Sequence, residues 1–188
     1  FSSDNGGVKE YRPNDHPEFE GHFINGPLRG QKTTVYEGGV RVPFIARWPG
    51  HIEAGSTDEV SMIALTDVFA TFAEFFNRSL SDDCAEDSFS FLGPLLDQPQ
   101  NRPRRESLVM DSYREMMAIR RGPWKLILGQ NGGGANYPKE ADPKKPAGQL
   151  YHLGSDLSES DNHYADETEL VRQLTAEFEQ IRDSGRSR

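Results

Sequence analysis

The side chains best suited to chemistry in this sequence are two adjacent oxygen donors and a lysine in a glycine-rich loop. Asp4 and Asn5 stand side by side and are followed by a glycine pair. Carboxylate and amide oxygens are the donors that Ca²⁺ and Mg²⁺ prefer. Lys32 follows in the run N-G-P-L-R-G-Q-K. There the glycines let the backbone approach a ligand, and an ammonium group can meet an anion. These residues predict a site for a hard cation and an anion.

Each of these residues also has an ordinary structural explanation. Asp-Asn-Gly is common turn chemistry, so Asp4 and Asn5 alone are compatible with a turn that ends a strand. Most lysines are solvated at the surface, and Lys32 alone is compatible with that role. Residue types by themselves therefore leave both explanations open.

The segments around these residues predict an open α/β sheet. Residues 1–3 indicate the carboxyl end of a strand, and ligands of such sheets bind just beyond strand ends. Residues 42–47 form an apolar run typical of a buried strand. Thr66 is a candidate N-cap for a helix over residues 67–76. Its phenylalanines recur at helical spacing, so we expect them to pack on the sheet.

A segment rich in proline, arginine and amide side chains, residues 98–105, predicts a domain boundary. We therefore assign residues 1–98 to the end of an α/β domain and residues 99–188 to a smaller α+β subdomain. The smaller subdomain is predicted to contain two strands, a hairpin and a C-terminal helix. These elements are strands over 107–110 and 150–153, a hairpin of 115–120 and 124–128, and a helix after Asp166.

Composition argues against two kinds of partner. Lysine and arginine together number 21, against 30 aspartates and glutamates, which gives a formal charge of −9. A nucleic-acid-binding protein needs a basic face, so none is expected here. No apolar run approaches the roughly 20 residues of a membrane-spanning helix.

The single cysteine, Cys84, gives neither a disulfide framework nor a thiolate metal site.

Several short motifs occur in an order that resembles the second half of the formylglycine-dependent sulfatases, over nearly the whole chain. They are S-D-N-G-G, N-G-P-L-R-G-Q-K, Y-E-G-G-V-R-V-P, R-W-P-G, M-A-I-R-R-G-P-W-K-L-I and Q-L-Y-H-L-G-S-D-L-S-E. The resemblance implies an α/β fold. We expect the last part of an alkaline-phosphatase-like α/β sandwich, followed by a small antiparallel sheet with a packed C-terminal helix.

The resemblance also implies a reaction, the hydrolysis of a sulfate ester. The family nucleophile is a formylglycine made from cysteine in C-x-P-S-R, but Cys84 is not followed by Pro-Ser-Arg. We therefore expect the formylglycine in a missing N-terminal half. By resemblance, Asp4 and Asn5 bind one Ca²⁺ and Lys32 contacts the sulfate. The expected partners are a sulfated small molecule or carbohydrate and the missing half. The expected compartment is the periplasm, the lysosome or the outside of the cell.

Two other function classes stay open. A phosphomonoesterase or phosphodiesterase of the same superfamily would share the fold, but those enzymes commonly carry histidine, a zinc ligand, in place of Asn5. A non-catalytic binding protein would lack the nucleophile altogether, and the upstream sequence would separate the three.

Arg29 is expected to be structural. Glu37 and Arg41 are expected to pair and hold a Gly-Gly bend.

Overall fold

The computed structural model describes residues 1–8, 23–98, 103–135, 137–138 and 140–188. The described chain divides into two units. The first unit comprises Phe1–Phe44 and Val109–Ala176, and the second comprises Ile45–Leu108 and Glu177–Arg188. The predicted boundary between residues 98 and 99 lies at residues outside the described ranges and stays a prediction. None of the helices among the described residues is long and apolar enough to cross a membrane.

A sheet forms the centre of the C-terminal part of the chain, as the alternating and apolar runs predict. In the described residues it has four strands in the order β1-β2-β3-β4. Strand β3 pairs antiparallel with both β2 and β4. The Gly122-Pro123 turn between β2 and β3 confirms the predicted hairpin. The strands are β1 (Ser107–Met110), β2 (Ala118–Arg121), β3 (Trp124–Ile127) and β4 (Gln149–His152).

The apolar core of the first unit joins this sheet to residues from the beginning of the chain. Val35 and Tyr36 are fully buried, and they cluster with Ala118, Ile127 and Tyr151 of the sheet. Burying an apolar side chain of the size of valine stabilises the folded state by about 1.5–3 kcal/mol. The core therefore fixes the segment just after Lys32 against the sheet. That segment continues into a short helix, α1 (Glu37–Val40).

The C-terminal helix is long and amphipathic, as the sequence predicts. Helix α4 runs over Thr168–Ser184. Leu174 and Phe178, one helical turn apart, are buried on one face, and charged residues occupy the exposed positions. The sheet and this helix confirm the expected α/β fold class.

Helix α2 (Asp67–Phe75) occurs where the N-cap pattern places it, but the face that it buries differs from the prediction. Its buried face carries the small or polar residues Asp67, Ala70 and Thr71. Hydrogen bonds hold this face to the segment 88–91, which leads into α3 (Leu92–Leu95). The phenylalanines lie on the other side, and in the described chain they are exposed, contrary to the predicted packing. Phe69 and Phe72 are each 56% exposed, and Phe76 is 63% exposed.

The prediction of a buried strand over residues 42–47 is wrong for the described chain. A single antiparallel bridge joins Ser2 to Phe44, and Ile45 is 61% exposed. A strand needs a neighbour on at least one edge, and no further strand pairs with this segment in the described residues. Residues 43–47 are exposed in the described chain.

Candidate functional site

The Asp4-Asn5 pair is placed by the two glycines that follow it. The amide of Gly6 donates a hydrogen bond of 2.9 Å to the carbonyl of Gly39. A Cβ atom at Gly6 would collide with the carbonyl oxygen of Gly38, so glycine is required by this close approach. The pair therefore sits beside α1. The carboxylate of Asp4 is exposed, while Asn5 is half-buried.

Lys32 lies next to the same glycine segment through its backbone. Its amide donates a hydrogen bond of 3.1 Å to the carbonyl of Gly7. Asn25 strengthens the junction, because its side chain accepts from the Gly7 amide at 2.7 Å and donates to the carbonyls of Gly7 and Gly30. Hydrogen bonds to the backbone therefore join the two predicted parts of the site.

The residue after Lys32 is held in an unfavourable conformation. Thr33 has φ of +79°, a region that β-branched residues rarely adopt. The side chain of Thr34 closes the loop with hydrogen bonds to the backbone of Gln31. Such strain persists only where the surroundings over-determine the backbone, and it concentrates at functional sites. The loop therefore presents Lys32 from a fixed position.

The side chains of the three predicted residues are less closely joined than their backbones. The Nδ2 group of Asn5 donates to the carbonyl of Gly6, which leaves its Oδ1 atom available as an acceptor. Among the described residues, no hydrogen bond or ion pair engages the carboxylate of Asp4 or the ammonium group of Lys32. The structure brings the segments together but does not bring the three side chains into mutual contact.

The donor set fits part of a site for a hard cation. Asp4 and Asn5 offer one carboxylate and one amide oxygen, which are suitable ligands for Ca²⁺. No group of three or more histidine, cysteine, aspartate or glutamate side chains in the described residues could hold a metal ion. Ca²⁺ takes about 6–8 oxygen ligands, so the pair alone would not complete a site.

Helix α1 connects the two parts of the candidate site. The amide of Gly38 donates at 2.6 Å to the carbonyl of Arg29, in the loop that carries Lys32. Gly39 receives the bond from Gly6 on the other side. Glu37 begins the helix, and its Oε2 atom accepts from Arg41 at 2.6 Å. The predicted pairing of Glu37 with Arg41 is therefore confirmed.

Sequence reasoning missed the most deeply buried charges of this region, Lys125 of β3 and Glu159. The Nζ atom of Lys125, fully buried, donates to Oε1 of Glu37 at 2.8 Å. It also lies 2.9 Å from Oε1 of Glu159, as an ion pair whose angle does not suit a hydrogen bond. The other oxygen of Glu159 accepts from the Glu37 amide at 2.7 Å. We call Glu37, Arg41, Lys125 and Glu159 the buried ion network.

The two carboxylates of this network differ in their electrostatics. Burial raises the pKa of Glu37, but Lys125 and Arg41 outweigh burial and hold that pKa below its ordinary value. Burial also raises the pKa of Glu159, and Lys125 offsets this only in part, so that pKa stays above its ordinary value. Glu37 has two cations and Glu159 shares one, which accounts for the difference.

Arg29 ties the Lys32 loop to the same part of the chain. Its guanidinium donates to the hydroxyl of Tyr151 and to the carbonyl of Glu159, both at 2.8 Å. It also lies 4.0 Å from the ring centroid of Tyr36, a cation–π contact. The structural role predicted for Arg29 is consistent with these contacts.

Comparison with known proteins gives relatives that are sulfatases. No family model matches the chain. An N-acetylgalactosamine-6-O-sulfatase of Bacteroides thetaiotaomicron is 32% identical over 187 residues, which cover 97% of this chain and 35% of that protein. Arylsulfatase A of Homo sapiens is 34% identical over 151 residues, covering 73% of this chain and 29% of that protein.

Solved structures agree with the sequence matches. One, from work on the metabolism of multiple glycosaminoglycans by Bacteroides thetaiotaomicron, superposes with a TM-score of 0.78 at 31% identity, covering 96% of this chain and 38% of that one. The PsFucS1 sulfatase from Pseudoalteromonas sp. has a TM-score of 0.72 at 25% identity and covers 98% of this chain and 36% of its own.

The fold and these matches place the chain among the sulfatases. More particularly, it is homologous to the C-terminal part of much longer sulfatases, which confirms the resemblance inferred from its motifs. The chain spans about a third of the length of the relatives it matches, 35% in one case and 29% in another.

Proposed function

We propose that the whole protein hydrolyses a sulfate ester and that this chain supplies Asp4, Asn5 and Lys32 to its active site. The observation that carries the proposal is the backbone junction between the two segments, in which the Lys32 amide bonds the Gly7 carbonyl at 3.1 Å. The sulfatase relatives, which this chain matches over 97% and 73% of its length, support the reaction class.

The role proposed for Lys32 is electrostatic. When a sulfate ester breaks, negative charge grows on the leaving oxygen and stays on the nonbridging oxygens. A fixed ammonium group beside those oxygens stabilises that charge, and the loss of such a donor costs about 10²–10³ in rate. The strained Thr33 and the Thr34 hydrogen bonds support this role, because they fix the loop before substrate arrives.

The role proposed for Asp4 and Asn5 is to hold one Ca²⁺ with further acids from outside this chain. The cation would supply positive charge next to the sulfate. The nucleophile, a formylglycine by family resemblance, would likewise come from outside this chain. The substrate class that fits the relatives is a sulfated carbohydrate or a sulfated small molecule. By the same resemblance we place the enzyme in the periplasm, in the lysosome or outside the cell.

The test is the activity of the whole protein with Lys32→Ala on an activated aryl sulfate. We expect kcat to fall about 10²–10³-fold. The matched control is Lys144→Ala, which removes an exposed lysine from another loop and should leave activity unchanged. Equal activity of the two variants would contradict the role of Lys32. A wild-type protein that cleaves a phosphate ester but no sulfate ester would favour the phosphatase alternative.

The chain by itself should show only background hydrolysis, because the proposed nucleophile is outside it. Turnover by residues 1–188 alone, persisting through repurification, would contradict the division of the active site that we propose.

A further inference from the structure

The buried ion network lies between the candidate site and the C-terminal sheet. Lys125 reaches it from β3, where its Cα pairs with that of Tyr151 in β4. Glu159 reaches it from a turn that the carboxylate of Asp156 holds, accepting from the amides of Ser160 and Asp161 at 2.7 and 2.9 Å. Glu159 itself has φ of +55°. A non-glycine residue in this region is held there by its surroundings.

Three contacts of the network converge on Glu37, the first residue of α1. The carboxylate of Glu37 is held by Lys125 at 2.8 Å and by Arg41 at 2.6 Å, and its amide donates to Glu159 at 2.7 Å. Both the main chain and the side chain of Glu37 are therefore fixed. A buried residue that is held through both its amide and its carboxylate has a single orientation, because no water can replace these partners.

The following two residues of α1 pass this constraint to the candidate site. A Cβ atom at Gly38 would lie 2.5 Å from the carbonyl oxygen of Arg29 and 2.7 Å from that of Gly30, so the helix presses directly on the Lys32 loop. Gly39 accepts the hydrogen bond of Gly6, next to Asn5. A displacement of α1 would move both parts of the site.

We propose that Lys125 and Glu159 are positioning residues, which set the separation between the Asp4-Asn5 pair and Lys32 through α1. The inference rests on the proposed function for its catalytic consequence. Its structural part, that the network holds α1 against both segments, stands on the contacts alone. Neither residue touches the reacting atoms. A displacement of about 1 Å at an active site can cost about 100-fold in rate.

The test compares two neutralised buried carboxylates in the whole protein. Glu159→Gln keeps the shape of the side chain and removes its charge. The matched control is Asp67→Asn, which does the same to a buried carboxylate paired with Arg105 at 2.5 Å in the second unit. The partners of the Asp67 carboxylate are the amides of Ala64 and Phe89 and the guanidinium of Arg105, all within the second unit. A further variant, Tyr151→Phe, removes the hydroxyl that accepts from Arg29 and donates to the side chain of Gln149. If Glu159→Gln does not fold, Arg41→Gln takes its place, because it removes a partly exposed partner of Glu37 in the same network.

The first measurement is hydrogen exchange at the amides of Gly6 and Lys32, which donate to Gly39 and Gly7. We expect both to exchange at least about tenfold faster in Glu159→Gln than in Asp67→Asn, because the protection of an amide reports the stability of the local structure that holds it. Tyr151→Phe should speed exchange at Lys32. Equal exchange in the variants and the control would overturn the inference. This readout does not depend on catalytic activity.

The second measurement is steady-state turnover of an aryl sulfate. We expect kcat to fall about 10–100-fold in Glu159→Gln with KM changed less than threefold, since misplaced groups lose transition-state contacts first. Asp67→Asn should keep the kcat of the folded fraction. A kcat loss in Glu159→Gln no larger than in the control would overturn the catalytic part. A wild type without sulfatase activity would instead refute the proposed function, and the exchange result would still decide the positioning.

Discussion

The substitution Lys125→Met is predicted to be strongly destabilising, by an amount that depends on pH. Methionine fills the space of the lysine stem but provides no charge. Glu37 would keep Arg41 at 2.6 Å, whereas Glu159 would keep only the Glu37 amide at 2.7 Å. Removal of one partner from a buried ion pair costs about 3–5 kcal/mol. Because Glu37 keeps a second cation, we expect the lower part of that range, about 3 kcal/mol, at pH 7.5.

The pH dependence follows from the directions of the two pKa values. Glu37 has a lowered pKa, so its contribution to stability is present above the ordinary value of 4.5 and is lost as the pH falls through the folded value. Glu159 has a raised pKa, so its contribution is present below 4.5 and is lost as the pH rises through the folded value. Lys125 lowers both pKa values, so its removal raises both. The damage should therefore be larger at pH 7.5 than at pH 5, because the more acidic condition favours the protonated form of Glu159, which needs no cation.

Urea unfolding of the whole protein at the two pH values, followed by circular dichroism, measures these differences. The double variant Lys125→Met/Glu159→Gln should recover part of the loss at pH 7.5, since no uncompensated charge then remains on residue 159. Lys144→Met, in an exposed loop, is the control and should change stability by less than about 0.5 kcal/mol. A loss below about 1 kcal/mol for Lys125→Met, or one independent of pH, would refute the electrostatic account.

Three further predictions concern the site and the surface. Asp4→Ala and Asn5→Ala should each weaken Ca²⁺ binding and activity together, because each removes an oxygen ligand. The control Asp82→Ala, at an exposed position, should change neither Ca²⁺ binding nor activity. Full activity of both the Asp4 and the Asn5 variant after chelation would show that these two residues only form a turn. Gly38→Ala should destabilise the protein by about 1–3 kcal/mol in thermal unfolding, because its Cβ would meet two backbone carbonyl oxygens at 2.5 and 2.7 Å. In hydrogen exchange on the isolated chain, residues 42–47 should show little protection and the C-terminal sheet strong protection. Strong protection of 42–47 in a soluble monomer would contradict this expectation.

Local patterns in the sequence were sufficient for the elements whose partners are close along the chain. The hairpin of β2 and β3 needs only two short apolar runs and a Gly-Pro turn, and α4 needs only a helical period of apolar residues. Glu37 begins α1 and Arg41, four positions further on, directly follows its last residue, so spacing alone predicts the pair. Family resemblance, rather than pattern, gave the sulfatase assignment.

Contacts between distant parts of the chain could not be predicted in the same way. Lys125 lies 88 residues from Glu37, and no local rule connects them. The signal that was available is the run Trp-Lys-Leu-Ile, because a lysine inside an apolar strand must find a buried carboxylate or distort the strand. Glu159 had no local signal of burial, since it lies in a polar turn between two serines, although it is the last residue of the motif Q-L-Y-H-L-G-S-D-L-S-E that carries the resemblance.

The errors at residues 42–47 and at helix α2 have one physical cause. Apolar content predicts that a segment is buried in some environment, but it does not say which chain provides that environment. Ile45 and Phe72 have the composition of buried residues, yet they are 61% and 56% exposed in the described chain. Apolar patches of this kind generally mark interaction surfaces.

The sequence separation within the buried ion network has a consequence for biosynthesis. The amide of Glu37 and the carboxylate of Glu159 that holds it are 122 residues apart. At about 5–20 residues per second, a ribosome needs roughly 6–25 s to make the intervening chain. During that interval Asp4, Asn5 and Lys32 have all been synthesised, but the amide of Glu37 still lacks the carboxylate that accepts its hydrogen bond. A premature stop codon before position 159 would therefore leave every proposed site residue of this chain intact and still remove the carboxylate that holds the start of α1.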